Sequence, residues 1–224
     1  MDNFSIQVDL GDRQISFTQT EITNLFHTLY YGSRVWEKTY YRGHNILKCP
    51  LDMWIYQEMI HELKPDYIIE SGTLLGGSAL YFADMFDLVG HGEIITIDIE
   101  VRPGIPHHNR IKYLKGSSSD INMFNNVMSM VGDKKNLMVI LDSDHSHQHV
   151  IDEMRMWHSV IPVGGYMIVE DSNVNGHPVR PDFGPGPMEA INEFLSENSD
   201  FEIDLSRQKF YMTQNPCGYL KKIK

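Results

Sequence analysis

The sequence has little positive charge and no long apolar run, and each shortage argues against a class of protein. Lys and Arg number 19 against 30 Asp and Glu, for a formal net charge of -11. Because proteins that bind a phosphate backbone usually carry a basic face, we expect no nucleic-acid partner. No apolar run reaches the about 18 residues of a membrane span, and the first residues do not resemble a secretion signal. We therefore expect a soluble, cytoplasmic protein with no membrane partner.

Cysteine is also scarce. The two cysteines, Cys49 and Cys217, lie in unrelated contexts with no CxxC spacing. A zinc ribbon or a disulfide framework would need more cysteines at shorter spacings, so both are predicted to be reduced thiols. The length of 224 residues suits one α/β domain with a sizeable core.

The first part of the chain has a different pattern from the rest. Residues 1–35 are predicted to form an N-terminal extension and residues 36–224 the main domain. In the extension, polar and apolar residues alternate around Gly11, which predicts a short hairpin outside the main sheet. A helix capped by Thr20 and ending near Gly32 is predicted to follow.

Five short apolar runs, each followed by a helical pattern, indicate an α/β fold with a parallel sheet and helices on both faces. The runs lie at 67–69, 93–98, 111–114, 137–141 and 166–169. The tail differs, because short strand-like segments lie at 201–205, 209–212 and 219–223. We expect these to form an antiparallel closing hairpin at the edge of the sheet.

The first of these strands leads into a glycine-rich turn. The strand ends at Glu70, and the chain turns through Gly72, Gly76 and Gly77 before an apolar helix. This is the arrangement of a βα unit that binds a ligand at the helix N-terminus. The spacing is not GxGxxG, and a carboxylate beside the turn would repel a pyrophosphate. It suits the cationic aminoacyl end of S-adenosylmethionine better than a nicotinamide cofactor.

Acidic residues end four of the five strands. Besides Glu70, they are Asp98, Asp142 with Asp144, and Glu170 with Asp171. Single acids at these positions often cap the next helix, but four together favour a ligand site, because ligands of open α/β sheets bind beyond the carboxyl ends of the strands. Asp98 lies roughly 20 to 30 residues past the glycine turn, where an acid accepts the ribose hydroxyls of a nucleoside cofactor.

A second group of acids predicts a metal. Asp142, Glu170 and Asp171 offer the hard oxygen ligands that Mg²⁺ prefers, although Asp144 competes with Asp142 for this role. His145 is expected one turn into the following helix, where it would take the proton of a substrate hydroxyl. The alternative is that His145 is only a polar residue at a helix N-terminus.

Several blocks in order resemble the cephalosporin hydroxylase and rhamnosyl O-methyltransferase family. The resemblance covers roughly residues 35 to 223, and its clearest blocks are Glu70-Ser-Gly-Thr-x-x-Gly-Gly-Ser78, Leu141-Asp-Ser-Asp-His-Ser146, Val169-Glu-Asp-Ser-Asn-Val-Asn-Gly-His177 and Gly184-Pro-Gly-Pro187. It implies a Rossmann-like class I methyltransferase, with a mostly parallel seven-stranded sheet and an antiparallel C-terminal strand. It also implies a homo-oligomer that uses S-adenosylmethionine and Mg²⁺.

The resemblance also implies roles for residues. Asp142, Glu170 and Asp171 would be the metal ligands, and His145 with Asp142 would be catalytic. The cofactor would be held by Glu70, Gly72, Thr73, Ser78, Asp98, Ser117, Ser118, Ser119 and Asp142.

Substrate contacts are predicted at two places. The loop 176–187 follows the metal acids and offers His177 and Arg180, and the aromatic segment before the main domain's first helix offers Trp36, Tyr40, Tyr41 and Arg42. The predicted function is Mg²⁺-dependent methyl transfer from S-adenosylmethionine to a hydroxyl of a small molecule, a sugar or a natural-product intermediate. The alternatives are a cofactor-binding accessory protein of a hydroxylase-type system and, with less support, an NAD-dependent dehydrogenase.

Overall fold

The computed structural model describes residues 4–134 and 136–224, which form a seven-stranded sheet with helices on both faces and two separate hairpins. The strands are β1 (Ser5–Asp9), β2 (Gln14–Thr18), β3 (Tyr40–Tyr41), β4 (His44–Asn45), β5 (Tyr67–Ser71), β6 (Glu93–Asp98), β7 (Ile111–Lys115), β8 (Leu137–Leu141), β9 (Tyr166–Val169), β10 (Phe201–Ile203) and β11 (Tyr219–Lys222). The helices are α1 (Gln19–Gly32), α2 (Pro50–Leu63), α3 (Gly77–Val89), α4 (Ile121–Val131), α5 (His147–Trp157) and α6 (Pro187–Glu197).

The sheet has the strand order β10-β11-β9-β8-β5-β6-β7. Strands β5 to β9 are parallel, and β11 is antiparallel to both β9 and β10. This confirms the predicted fold. The strand order reverses at β5, which has β6 on one side and β8 on the other, so the crevice beyond the carboxyl ends of β5 and β8 is where a ligand is expected.

Alternation along the central strands builds a core on each face of the sheet. Ile69 and Val139 point to the side covered by α4, α5 and α6. Ile68 and Ile140 point to the opposite side, which α2 and α3 cover. Because successive side chains of a strand face opposite sides, β5 and β8, which are buried along their whole length, are covered on both faces. The sheet thus holds the strand ends in fixed positions.

The N-terminal extension has the predicted order of elements but a different helix cap. β1 and β2 pair as a separate antiparallel hairpin, and α1 follows. Thr18, not Thr20, is the N-cap, because its side chain accepts from the N–H of Glu21 and the Glu21 carboxylate accepts from the N–H of Thr18. This reciprocal pair fixes the helix start two residues earlier than predicted. The division of the chain at residue 35 stays a prediction.

The predicted strand at 209–212 is wrong. A short 3₁₀ helix, Leu205–Gln208, follows β10, and the chain then crosses to a buried polar cluster around Asp52 of α2. There Asp52 accepts hydrogen bonds from the Thr213 hydroxyl (2.5 Å) and from the N–H of Gln214 (2.9 Å). Within the segment, the N–H groups of Tyr211 and Met212 donate to the nearby backbone oxygens of Gln208 and Phe210, so these groups need no strand partner.

Within the described ranges, none of the helices combines the length and apolar character needed to cross a membrane.

Candidate active site

A cavity of about 540 Å³ opens at the carboxyl edge of the parallel strands. Its volume lies in the range of ~300–1,000 Å³ that is typical of small-molecule sites. The turns after β5, β6, β7, β8 and β9 all contribute to its wall, together with residues from the N-terminal part of the chain. Of the predicted site residues, its lining includes Gly72, Asp98, Ser117, Ser118, Asp142, His145 and Asp171, as well as the pocket candidate Trp36.

The turn after β5 approaches β8 closely. Gly72 has a φ of +88°, and a Cβ at this position would lie 1.8 Å from the backbone oxygen of Asp142. Only glycine fits here, so the close approach of the two strand ends depends on it. Asp98 closes the other side of the turn, where its Oδ2 accepts the N–H of Leu74 (2.8 Å) and its Oδ1 accepts the N–H of Glu100 (3.0 Å).

Three residues that were predicted to touch the cofactor lie beneath this turn. Glu70, Thr73 and Ser78 are buried, and the Glu70 carboxylate accepts from the Ser78 hydroxyl and from the Thr96 hydroxyl (2.6 Å). Thr73 Oγ1 lies 2.7 Å from Thr96 Oγ1. Burial raises the pKa of Glu70 to about 7, although Lys48 and the hydroxyls oppose the rise. Their positions support a role in holding the turn rather than direct contact with a ligand in the cavity.

In the serine loop after β7, two of the three predicted cofactor residues line the cavity and the third does not. Ser117 and Ser118 line the cavity, whereas Ser119 is paired to Ser117, with 3.0 Å between the two hydroxyl oxygens. The Trp157 indole N–H donates to the backbone oxygen of Ser118 (3.0 Å) and so ties the loop to the core.

Asp142, His145 and Asp171 come together at one end of the cavity. His145 Nε2 lies 3.3 Å from Asp142 Oδ1, and His145 Nδ1 lies 3.4 Å from Asp171 Oδ2. Burial opposes protonation of this imidazole, but Asp171 and Asp142 outweigh it and raise the pKa of His145 to about 9. His145 is not in the helix as predicted, because α5 begins only at His147; it lies in the preceding loop, where both ring nitrogens can meet carboxylates.

Asp142, rather than Asp144, is the acid that faces this group. Asp144 is exposed at the cavity rim, and its Oδ1 accepts the N–H of Ser146 (2.8 Å) just before α5. Ligand atoms of Asp142, His145 and Asp171 all lie within 4.8 Å of one another, which is close enough for one ion to contact them. Asp142 faces the group and Asp144 does not, because Asp142 directly follows the end of β8.

Glu170 lies deeper than the other two predicted metal ligands. It is buried, and its Oε1 accepts from the Tyr56 hydroxyl (2.6 Å) and from the Lys48 ammonium (2.6 Å). Lys48 also bonds Asp142 Oδ2. Burial works against the charge on Asp142, but Lys48 and His145 outweigh it and lower the Asp142 pKa. The three acids are therefore neighbours, and two of them, Asp142 and Glu170, each have two protein partners.

Lys48 is the site residue that sequence reasoning missed. It is buried in a stretch that leads from the aromatic segment to α2, and its partners are 94 and 122 positions away, at Asp142 and Glu170. The available signal was a lone lysine between apolar Leu47 and Cys49. A buried lysine is rare unless it is paired.

The predicted substrate residues are not all at the cavity. Tyr41 and Arg42 both bind Asp84 on α3, at 2.9 Å and 2.7 Å, and Tyr41 lines a neighbouring cavity instead. His177 pairs with Glu189, with 2.9 Å between Nε2 and Oε1. Arg180 pairs with Asp182, with 3.4 Å between Nε and Oδ1. Burial raises the pKa of Tyr31 in the cavity wall, and Arg180 opposes this rise.

The fold and the acids at its strand ends define a class I, Rossmann-like methyltransferase. A family model described as Rhamnosyl O-methyltransferase/CmcI matches residues 33–223. The chain belongs to this family, as the sequence predicted, and it is an O-methyltransferase.

Two relatives and one solved structure show the degree of similarity in sequence and fold. The chain is 41% identical over 202 residues to a rhamnosyl O-methyltransferase of Mycobacterium bovis, covering 87% of this chain and 82% of the relative. A rhamnosyl O-methyltransferase of Mycobacterium leprae is 37% identical over 205 residues, covering 89% and 90%. The structure of CmcI with Mg and SAM has a TM-score of 0.65 at 23% identity, covering 84% of this chain and 78% of CmcI. Those two ligands are the cofactors that the sequence predicts for this chain.

Proposed function

We propose that the protein transfers the methyl group of S-adenosylmethionine to a hydroxyl of a sugar-containing small molecule, with help from Mg²⁺ and His145. The observation that carries this proposal is the position of His145 between Asp142 and Asp171, at the end of a cavity of suitable size. The relatives at 41% and 37% identity are rhamnosyl O-methyltransferases, which supports a glycosyl hydroxyl as the acceptor. A cytoplasmic location is part of the same proposal.

The cofactor would occupy the part of the cavity between β5 and β7. The Asp98 carboxylate is suited to the ribose hydroxyls, and Ser117 and Ser118 lie at the neighbouring strand end. Gly72 lines this part of the cavity, where the methionine end would lie. Glu70, Thr73 and Ser78 would support this turn from below.

The metal would be held by Asp142 and Asp171, with Glu170 behind them. Oxygen donors of this kind fit Mg²⁺. Bound there, the ion would supply a Lewis acid that lowers the pKa of the acceptor hydroxyl and fixes its oxygen. Lys48 helps to keep Asp142 ionised and close to Glu170.

His145 would take the proton of the acceptor hydroxyl. As the oxygen forms its bond to the methyl carbon, the bond from that carbon to sulfur breaks and the sulfur becomes neutral. Most of the rate would come from alignment of oxygen, methyl and sulfur. Since Asp142 and Asp171 favour the protonated imidazole, His145 can act as a base only when positive charge nearby offsets these two carboxylates.

Substitutions of His145 and Asp171 test the proposal. In His145→Ala and Asp171→Ala, methyl transfer should fall by at least about 10²-fold, while the Kd for S-adenosylmethionine by isothermal titration stays within a few-fold. His147→Ala is the matched control, because His147 pairs with Glu193, 2.8 Å away on α6, and it should keep its activity. Full turnover in either of the first two variants would contradict these roles.

A further inference from the structure

The N-terminal helix supplies part of the cavity wall. Tyr31, in the last turn of α1, and Trp36, in a 3₁₀ helix (Val35–Lys38), both line the cavity that contains His145 and Asp171. Their rings are stacked, with 5.4 Å between centroids and 25° between planes. The Trp36 indole N–H donates to the backbone oxygen of Tyr31 (3.1 Å), which fixes the orientation of the indole.

This aromatic pair is held in place from the metal side. His27 is buried one helical turn before Tyr31, and its Nε2 lies 2.9 Å from Nδ2 of Asn173, two residues after Asp171. Residues four apart share a helix face, so His27 and Tyr31 both face the loop after β9. Burial raises the pKa of Tyr31, Asp171 adds to the rise and Arg180 opposes it. Tyr31 therefore lines the same cavity as Asp171, on a helix that His27 ties to the loop after β9.

Asp171, at the acidic end of the cavity, is far from the nucleoside end. Asp171 follows β9 and Asp98 ends β6, and these strands are three positions apart in the sheet. At roughly 4.8 Å per strand this is about 14 Å. The pair thus adjoins the acids where the acceptor hydroxyl must lie, and the carboxylate suited to ribose lies at the other end.

We propose that Tyr31 and Trp36 form part of the acceptor subsite and that the group they bind is a pyranose ring. This inference rests on the proposed function. A pyranose presents C–H groups on its faces and hydroxyls around its rim, so it matches aromatic planes beside charged groups. The aromatic planes hold the ring face, and one rim hydroxyl points to Asp171 and His145. Residues 1–35 are then a substrate determinant as well as an extension.

Substitutions of Trp36 test the subsite, with methyl rhamnoside as the acceptor. In Trp36→Ala we expect the acceptor KM to rise at least about tenfold while the Kd for S-adenosylmethionine changes less than about twofold; Trp36→Phe should recover most of the loss. Trp54→Ala is the control, because Trp54 is exposed on α2 and lines a different cavity. Comparable acceptor KM values in the wild type and Trp36→Ala would overturn the subsite. A cofactor Kd weakened as much as the acceptor KM would assign the pair to the cofactor instead.

A binding measurement separates failure of the subsite from failure of the proposed function. Saturation-transfer NMR with methyl rhamnoside should show contacts in the wild type and in Trp36→Phe, and not in Trp36→Ala. The wild type could bind S-adenosylmethionine and methyl rhamnoside without methylating the rhamnoside or any other glycoside. In that case the proposed function fails and the subsite stands. If catechol binds through Trp36 and glycosides do not, the choice of a pyranose is wrong. Folding of each variant is checked independently by its urea unfolding curve.

Discussion

At the residue scale, Lys48 explains how three acids stay together at the end of the sheet. Carboxylates that share a buried site repel one another, and each pays for the loss of water. The Lys48 ammonium contacts both Asp142 and Glu170, and despite its own burial these neighbours raise the Lys48 pKa. The charge of the lysine therefore offsets much of the repulsion within the acid group.

Removing this charge should lower the free energy of unfolding of the protein. In Lys48→Met, Asp142 and Glu170 remain buried without their cation, and breaking a buried pair in this way typically costs about 3–5 kcal/mol. We expect a lower free energy of unfolding in urea, and a smaller loss when Mg²⁺ is added, because a second cation would bind the same acids. Lys112→Met is the control, since Lys112 forms a half-exposed pair with Glu93 that should contribute less than about 1 kcal/mol. Equal losses in the two variants would show that Lys48 does not have this role.

The sequence predicted those site residues that stand at the ends of apolar runs. Asp98, Asp142 and Asp171 line the cavity because a parallel sheet brings its carboxyl ends to one edge. Glu70 also ends a strand, but its side chain turns to Thr96 on the neighbouring strand. The direction of a side chain at a strand end depends on that neighbour, and the sequence alone does not reveal it.

At the scale of elements, α1 is joined to the loop after β9 through one histidine. Burial lowers the pKa of His27 to about 4, so His27 is neutral in the folded protein and accepts the hydrogen bond from Asn173. The unfolded chain, with a pKa of 6.5 for this side chain, binds a proton more readily. This contribution to stability is thus complete above pH 6.5 and is lost as the pH falls toward 4.

The variant His27→Gln should show a weaker pH dependence of stability. Glutamine keeps an acceptor for Asn173 but does not titrate, so between pH 6.5 and about 4 its free energy of unfolding should fall less than that of the wild type. Urea unfolding at both pH values measures this difference. Other carboxylates titrate in the same interval in both proteins and cancel in the comparison. If the free energies of unfolding of the two proteins change in parallel with pH, neutral His27 does not stabilise the contact between α1 and Asn173.

The elements that were predicted correctly depend on local pattern, and the one that failed depends on a distant partner. Strands β5 and β8 are buried along their whole length, so their apolar runs alone identify them. Segment 209–212 has a similar composition. Its path is decided by Asp52, more than 150 positions earlier, which holds Thr213. The β3–β4 hairpin was also missed, although Arg42 and Gly43 both have the positive φ of a tight hairpin turn.

At the scale of the molecule, exposed apolar side chains are concentrated in the N-terminal extension. Both faces of the β1–β2 hairpin are largely open, and an isolated two-stranded hairpin is at best marginally stable in water. α1 carries little charge, with Glu21 as its one ionised carboxylate, so two copies would not repel each other there. The exposed large apolar residues of this region are Phe4, Ile6, Val8, Leu10, Leu25, Phe26, Leu29 and Val35.

The homo-oligomer stays a prediction, and we expect its contact on the N-terminal extension, in a two-fold arrangement of hairpin and α1 against a second copy. Leu25 and Leu29 lie one turn apart on the same face of α1, and both are exposed. The double variant Leu25→Asp with Leu29→Asp should therefore convert an oligomer of the wild type to a monomer, as measured by sedimentation velocity. Leu88→Asp is the control, because Leu88 is also an exposed leucine, at the end of α3 and outside this region, and it should leave the assembly intact.

A monomeric wild type, or a double variant that still assembles, would rule out this contact. Because Tyr31 ends the same helix, loss of the contact should also raise the acceptor KM while the cofactor Kd stays constant.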